Sequence, residues 1–409
     1  MACTQKGSSM ADAFNTYRPH RRRRHAVLAS LSASLMVVAF SLLPGTGHAQ
    51  EDTQTVLLGF AGPLSGSSAK VGKGQQQAVE LAIADANAHP FKIDGKKIQF
   101  KLLAQDDRGD ARTATLVADY LVKAGVVAVI GHWNTAASLS AAPIYARANL
   151  AQIAPGSTGR QYTQGGSNSS FRIVGHDDEG GIYAGNYAVR TLNARRIAVI
   201  DDDTVFGRNL ATQFIASLRD NGETAVARES INSKTSDFNA ALSAIKSKNP
   251  DLIFFGGLGA QAATLTRSIA RMQMTVPLMA ADGTVGPLFI ELAGADGNGT
   301  LALAPGLPQE KMNGWKAFEK KYRNGADGDI DFFAPFAYDA AQVLIAAIRQ
   351  NNSLDPQRIA ATLHGIRFAG LSAAISFDAE GNLNNAGYTM YQLKNQKWQA
   401  LKTFGGGGR

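Results

Sequence analysis

Residues Val126–Thr158 read VVAVIGHWNTAASLSAAPIYARANLAQIAPGST. Two unbroken apolar runs, VVAVIG and AQIAPG, flank a helical pattern, AASLSAAPIYARA. Parallel strands buried on both faces read as continuous apolar segments, and a helix is their usual connection. The stretch therefore specifies a β-α-β unit. Asn134 or Thr135 can cap a helix that begins near Ala136. Both apolar runs pass into Gly and hydroxyl residues at their carboxyl ends, the edge at which open α/β sheets take ligands.

Working outward, the alternation continues. TVLLGFAG and IQFKLLAQD are strands upstream, and GQQQAVELAIADANA and ARTATLVADYLVKAG are helices. A second cycle starts around FRIVGHDDEG (Phe171–Gly180). Its strands are RRIAVIDDD, ETAVARESI, PDLIFFGG, VPLMAADG and GTLALAP. Its helices are FGRNLATQFIASLRDNG, SDFNAALSAIKSKN and GAQAATLTRSIARMQ. The expected fold class is α/β, with two doubly wound, Rossmann-like lobes of similar plan. Two helices follow, then DPQRIAATLHGI, which opens on Asp-Pro as helices do. AAISFDAEGNLNNAGYTMYQLKNQKWQALKTF reads as antiparallel strands, and the GGGGR tail as frayed.

The amino terminus belongs to neither lobe. A basic block (Arg18, Arg21–Arg24) precedes an apolar run from Ala26 to about Leu43, and then PGTGHA. This is the grammar of an export signal cleaved after Ala49, with no lipoprotein cysteine. Within 409 residues there are 41 basic and 33 acidic side chains. Removing the six basic and one acidic of positions 1–49 leaves a net charge of +3, so nothing argues for nucleic acid. The single cysteine, Cys3, lies in the leader, which excludes disulfides, thiolate metal sites and a cysteine nucleophile from the mature chain.

The polar strand ends carry the candidate site. GFAGPLSG (Gly59–Gly66) has glycines spaced G-x-x-G-x-x-x-G, which does not match a dinucleotide fingerprint, and only Asp106 or Asp107 could serve a ribose. A tight turn with Ser65 facing a cleft is expected instead. His132 lacks a nucleophile elbow or a metal-ligand spacing, so it reads as structural and not catalytic. Gly156, Ser157 and Thr158 of APGSTG can offer hydroxyls and backbone N–H groups to an anion, as can Thr135 and the helix start near Ala136. Asp201–Asp203 point in different directions on an extended segment, which does not make a metal site. Asp282 is a lone acid at a strand end, suited to an ammonium group, with Phe206 as an apolar wall. No metal or cofactor is expected.

GPLSG, DDRGDARTA, VIGHWNTAAS, IAPGST, FRIVGHDDEGG, DDDTVFGRNLA, MAADG, FAYDAAQ and ISFDAEGNL occur in one order. Together they resemble the amino-acid-binding proteins of branched-chain amino acid ABC transporters, the leucine/isoleucine/valine-binding type. The resemblance implies a type I periplasmic binding protein, whose two lobes are joined by three crossovers and close on a solute. Lobe 1 would comprise residues 50–174 and 305–369, lobe 2 residues 175–304 and 370–409. Thr135 and Thr158 match residues that hold an α-carboxylate. The Gly156 carbonyl and Asp282 match groups that hold the α-ammonium, and Trp133, Phe206 and Phe333 match side-chain walls. Asp282 is one methylene shorter than the family's usual Glu. Val71 and Leu258 replace aromatics, and Trp133 replaces a smaller aliphatic. Gly109 and Asn134 stand where some members form a disulfide. The implied function is a monomeric periplasmic receptor that delivers an amino acid or small amide to an inner-membrane ABC permease. The other readings are a ligand sensor of the same fold and a secreted hydrolase. The absence of a transmembrane or signalling segment after the binding region favours a diffusing receptor.

Overall fold

The computed structural model describes residues 52–165, 167–324 and 329–406. The expected leader, its cleavage point after Ala49, Cys3 and the last tail residues lie outside them. The first sheet is built from β1 (Thr53–Gly62), β2 (Lys92–Ile93), β3 (Lys96–Asp106), β4 (Ala128–Gly131), β5 (Ala151–Ala154) and β6 (Ser170–Arg172). Its order is β2-β3-β1-β4-β5-β6, parallel except for the edge strand β2. Helices α1 (Ala69–Ala88), α2 (Ala111–Lys123), α3 (Thr135–Arg147) and the single turn α4 (Gln161–Gln164) connect it.

The second cycle runs α5 (Asp177–Arg190), β7 (Ile197–Asp201), α6 (Val205–Asp220), β8 (Ala227–Ser230), α7 (Asn239–Lys246), β9 (Leu252–Gly256), α8 (Gly259–Arg271), β10 (Leu278–Ala280), α9 (Pro287–Ala293) and β11 (Leu301–Pro305). After α10 (Trp315–Arg323), α11 (Ala334–Asn351) and α12 (Pro356–Gly365) come β12 (Phe368–Ala369), β13 (Ala374–Ile375), β14 (Gly387–Lys394) and β15 (Lys397–Gly405). The second sheet has the order β15-β14-β11-β10-β9-β7-β8, with β14 and β15 antiparallel. Their hairpin turns at Asn395 and Gln396, both left-handed (φ 50° and 58°), as a two-residue turn of matching twist requires.

The sequence pattern becomes these elements for simple reasons. Every residue of β4, β5, β7 and β9 is buried, as in strands covered on both faces. Helix starts are capped by side chains: Asp110 accepts from Thr113 N, Thr204 from Gly207 N and Asp355 from Arg358 N. Helix α11 is buried over most of its surface and packs beside α1 and under β4 and β5, so the third chain segment completes the first lobe's core.

Three connections join the lobes: Ile173–His176, the stretch after Pro305, and a third. The resemblance puts the third near Ala369, but the chain stays on the first lobe beyond that point. Asp339 of α11 accepts from Leu371 N (2.8 Å), Ser372 N (2.6 Å) and Ser372 Oγ (2.6 Å). Ile375 and Phe377 lie in the first lobe's core, and Gly381 and Asn382 bond to Arg172 of β6. Only after Leu383 does the chain join the second sheet, where Gly306 N donates to Gly387 O (2.6 Å). A buried carboxylate with three donors pins the loop and delays the crossing.

Gly131 ends β4 at φ 132°, opposite Ala61 of β1. A Cβ there would lie 2.1 Å from the Ala61 carbonyl oxygen. Gly131→Ala must therefore push the central strands β1 and β4 away from each other, and a loss of about 2–3 kcal/mol in urea unfolding is expected. A change below about 0.5 kcal/mol would contradict that packing.

Candidate functional site

The two sheets present their carboxyl edges to each other. In each, the strand order reverses beside a central strand, so the following loops diverge and leave a crevice. From the first lobe come the loops after β4 and β5. Asn134, not Thr135, caps α3, accepting from Ala137 N at 2.9 Å. This leaves the Thr135 hydroxyl to accept from Gly159 N at 3.0 Å and keeps its own proton available. Thr158 is buried, and its hydroxyl lies in one chamber with the Asp177 carboxyl, whose charged form it favours by hydrogen bonding.

Ser157 differs from its neighbours. Its hydroxyl is fully buried against Ser138 Oγ (2.6 Å) and the carbonyls of Trp133 (3.1 Å) and His132 (3.2 Å). It braces the two loops and lines neither chamber described below. Gly156 is confined by Trp133, whose Cδ1 would be 2.5 Å from an added Cβ.

From the second lobe come Phe206 at the start of α6 and Asp282 after β10. Asp282 accepts from Gly283 N at 2.8 Å, and burial pushes its carboxyl up to about 7. Two small chambers adjoin at Phe206 and Asp282. The outer one is lined by Trp133, Asn134, Thr135, Gly156, Phe206, Leu258, Asp282, Gly283 and Phe333. The Trp133 and Phe333 rings meet edge to face at 5.8 Å. The inner one holds Thr158, Asp177 and Tyr388 among apolar side chains such as Phe254 and Leu303. Each is about 10 Å³, space for about one water. The cleft stands closed: Lys70 of α1 pairs with Glu291 of α9, and Gln161 exchanges amide hydrogen bonds with Asn209.

The structure thus brings Trp133, Thr135, Gly156, Thr158, Phe206, Asp282 and Phe333 to one place. Donor hydroxyls lie on one wall, a carboxylate on the other, and aromatic rings at the end. That arrangement can hold a small molecule with both an anionic and a cationic group. The periplasmic binding protein family model matches residues 55–397, which include every one of these positions. The chain belongs to the periplasmic binding protein family. An amino acid binding protein of Pseudomonas aeruginosa is 31% identical over 88% of this chain and 95% of its own length. A Leu/Ile/Val-binding protein homolog of Brucella suis is 30% identical over 84% of this chain and 90% of its own. Among solved structures, the branched-chain amino acid transporter substrate binding protein of Streptococcus pneumoniae, in complex with isoleucine, superimposes with a TM-score of 0.79. It shares 26% identity and matches 86% of this chain and all (100%) of its own. A leucine-binding protein of Thermotoga maritima gives the same TM-score, 0.79, at 25% identity, over 85% of this chain and 98% of that one. The resemblance and the type I fold are borne out.

In this binding protein the residues that invited other readings have structural work. His132 is fully buried, with Nδ1 2.6 Å from Asp107 Oδ2 and Nε2 3.1 Å from the Tyr145 hydroxyl. Both ring nitrogens are taken, which leaves none for a substrate. Asp106 accepts from the N–H groups of Leu64 (2.8 Å), Arg108 (2.9 Å) and Ser65 (3.3 Å), so the GPLSG turn directs its donors inward and away from any phosphate. Ser65 itself is exposed and lines neither chamber. Asp201 is held by Ser230 and Arg228, and Asp202 by Thr204, so the acids of DDD serve separate partners.

Asp177 escaped the sequence reading. It is buried at the first turn of α5, lines the inner chamber, and burial raises its carboxyl to about 8. The clue was present in HDDE, three acids at a helix start, but acids are common there for the helix's own sake. Tyr388, another liner, comes from the far C-terminal hairpin and gave no local signal.

The raised carboxyls of Asp177 and Asp282 set a pH dependence. A carboxyl that titrates higher folded than unfolded makes the native state bind more protons. Its contribution to stability is therefore greatest below about pH 4 and is lost as pH rises towards 7–8. The ligand-free protein is expected to melt at a lower temperature at pH 8.5 than at pH 5.5, as read by calorimetry. An equal or higher midpoint at pH 8.5 would show that these acids are not buried as charges.

Proposed function

We propose that this chain is the periplasmic receptor of an ABC importer, binding an amino acid in the inter-lobe cleft and handing it to an inner-membrane permease. The observation that carries this is the placement of the Thr135 and Thr158 hydroxyls opposite the buried carboxylate of Asp282 across a closing cleft. The hydroxyls and the N–H groups of the first turn of α3 take the α-carboxylate. Asp282 and the Gly156 carbonyl take the α-ammonium. Trp133, Phe206 and Phe333 enclose the side chain. Closure removes water and strengthens each of these contacts, and no bond is made or broken. The relatives named for leucine, isoleucine and valine support a small aliphatic ligand. Trp133, packed on Phe333, makes the end wall bulky and favours the shorter members of that class.

A thermal-shift screen of the chain from residue 50 onward against the twenty amino acids tests this. A ligand at about a thousand times its Kd adds about 4 kcal/mol of stability, which raises the midpoint by several degrees. No shift with any amino acid at millimolar concentration would remove the assignment.

A further inference from the structure

We infer that the recess between α1, the segment Gly283–Glu291 and the turn before α11 is a second ligand site, which takes a small organic ammonium ion apart from the amino-acid chambers. The recess has a volume of about 640 Å³, in the ordinary range of small-molecule sites, whereas each chamber has room for about one water. It shares only Gly283 and Phe333 with the outer chamber, so these two residues form the partition. Two of its polar side chains are buried and short of partners. Asp331 is 8% exposed; Oδ1 accepts from Phe333 N (2.9 Å), and among the described residues no cationic side chain pairs with the carboxylate. Thr284 is 1% exposed, and among the described residues its hydroxyl has no hydrogen-bond partner. Tyr322 donates its hydroxyl proton to Gly74 O (3.0 Å) and keeps its lone pairs. A Cβ on Gly74 would lie 2.5 Å from Asp331 Cβ and 3.2 Å from the Tyr322 hydroxyl oxygen, so glycine lets the acid and the phenol share one spot against α1.

These groups call for a cation. A buried carboxylate without a counter-charge is costly, and a charged donor entering beside it recovers that cost. Lys70 is paired with Glu291 across the cleft, and Lys73 and Asp329 are exposed at the rim. With all of these groups charged, the two lysines against Glu291, Asp329 and Asp331 leave the lining at net −1. An ammonium has three N–H donors, which matches the Asp331 carboxylate, the Tyr322 oxygen and the Thr284 hydroxyl in number. Val71, Val285, Leu288 and Phe333 line the same space and can bury a short alkyl chain. A solute carrying only a carboxylate meets Asp331 as a like charge and is refused. The walls come from both lobes, so an occupant makes its full contacts only in the closed form and holds it closed. Binding here and binding in the chambers therefore support each other.

The test is thermal denaturation at pH 8, above the value of about 7 to which burial raises Asp331, with n-butylammonium, n-butanol and butyrate at matched ionic strength. Wild type, D331N, T284V and D282N are compared, each from residue 50 onward. At about ten times its Kd, n-butylammonium is expected to raise the wild-type midpoint by a few degrees, and the alcohol and the carboxylate to leave it unchanged. D331N keeps the acceptor for Phe333 N and is expected to bind n-butylammonium about tenfold more weakly, and T284V about threefold. D282N is expected to retain the shift, which places the amine outside the chambers. No shift in wild type, a shift kept in full by D331N, or one lost in D282N overturns the inference. Competition overturns it too: if the amino acid that stabilises the protein most displaces n-butylammonium, the recess takes the far end of one long ligand. If D331N fails to fold, T284V decides in its place, because its hydroxyl has no partner to lose, and undiminished binding by T284V then overturns the inference. If no amino acid binds, the receptor reading falls, while the n-butylammonium shift and its loss in D331N still decide the second site.

Discussion

Asp282→Asn is expected to weaken amino-acid binding by about 100- to 1,000-fold, or roughly 3–4 kcal/mol. The substitution keeps the side chain's shape and removes only the charge. A buried ammonium that loses its carboxylate loses a charge-assisted hydrogen bond and stays desolvated, so the cost is large. The effect should fall on binding and not on folding. Burial already holds this carboxyl at about 7, so an uncharged amide removes an unfavourable buried charge in the ligand-free protein. The ligand-free melting point at pH 8 should therefore equal or exceed that of wild type. Calorimetric titration beside thermal denaturation reads both. Affinity within threefold of wild type would show that the ammonium lies elsewhere.

Arg172→Met is expected to lower the free energy of unfolding by about 3–5 kcal/mol, and to weaken ligand binding as well. The guanidinium is fully buried and ties together residues from three places in the chain. Nη1 donates to Ser157 O (3.0 Å), and Nη2 to Gly159 O (2.9 Å) and Thr163 Oγ1 (2.9 Å). Nε donates to Asn382 Oδ1 (2.9 Å), just before the third crossing. Methionine fills much of the space but strands these acceptors, each at the cost of an unpaired buried polar group. It also frees the loop carrying Thr158 and removes a cation that attracts Asp177. Arg172→Lys should rescue little, because a single ammonium cannot span the positions that a planar fork reaches. Urea unfolding measures the loss. A deficit under about 1 kcal/mol would mean that water replaces these bonds at little cost.

Much of this was legible in residue order. Continuous apolar runs such as VVAVIG and DLIFFGG determine buried parallel strands, and their alternation with amphipathic helices determines the doubly wound layers. The polar residues at strand ends determine a ligand edge, which is why Thr135, Thr158, Phe206 and Asp282 were within reach of local reading. Those signals depend on neighbours a few residues apart, and chain order records such neighbours directly.

Tertiary structure decided what depends on contacts between distant segments. Ser157 and Thr158 are adjacent hydroxyls in the sequence, yet the loop after β5 turns one into the scaffold and the other into the cleft. Asp177 looks like a helix-start acid until folding sets it in one chamber with Asp282 and Tyr388. The third crossing moved because Asp339 in α11 captures Leu371 and Ser372 from across the lobe. Residue order alone specifies which elements form and which edge is polar, because periodicity and capping act over a few residues. Which acids share a cavity, and which hydroxyls face it, follows only from folding, because burial and Coulomb coupling act through space between residues far apart in the chain.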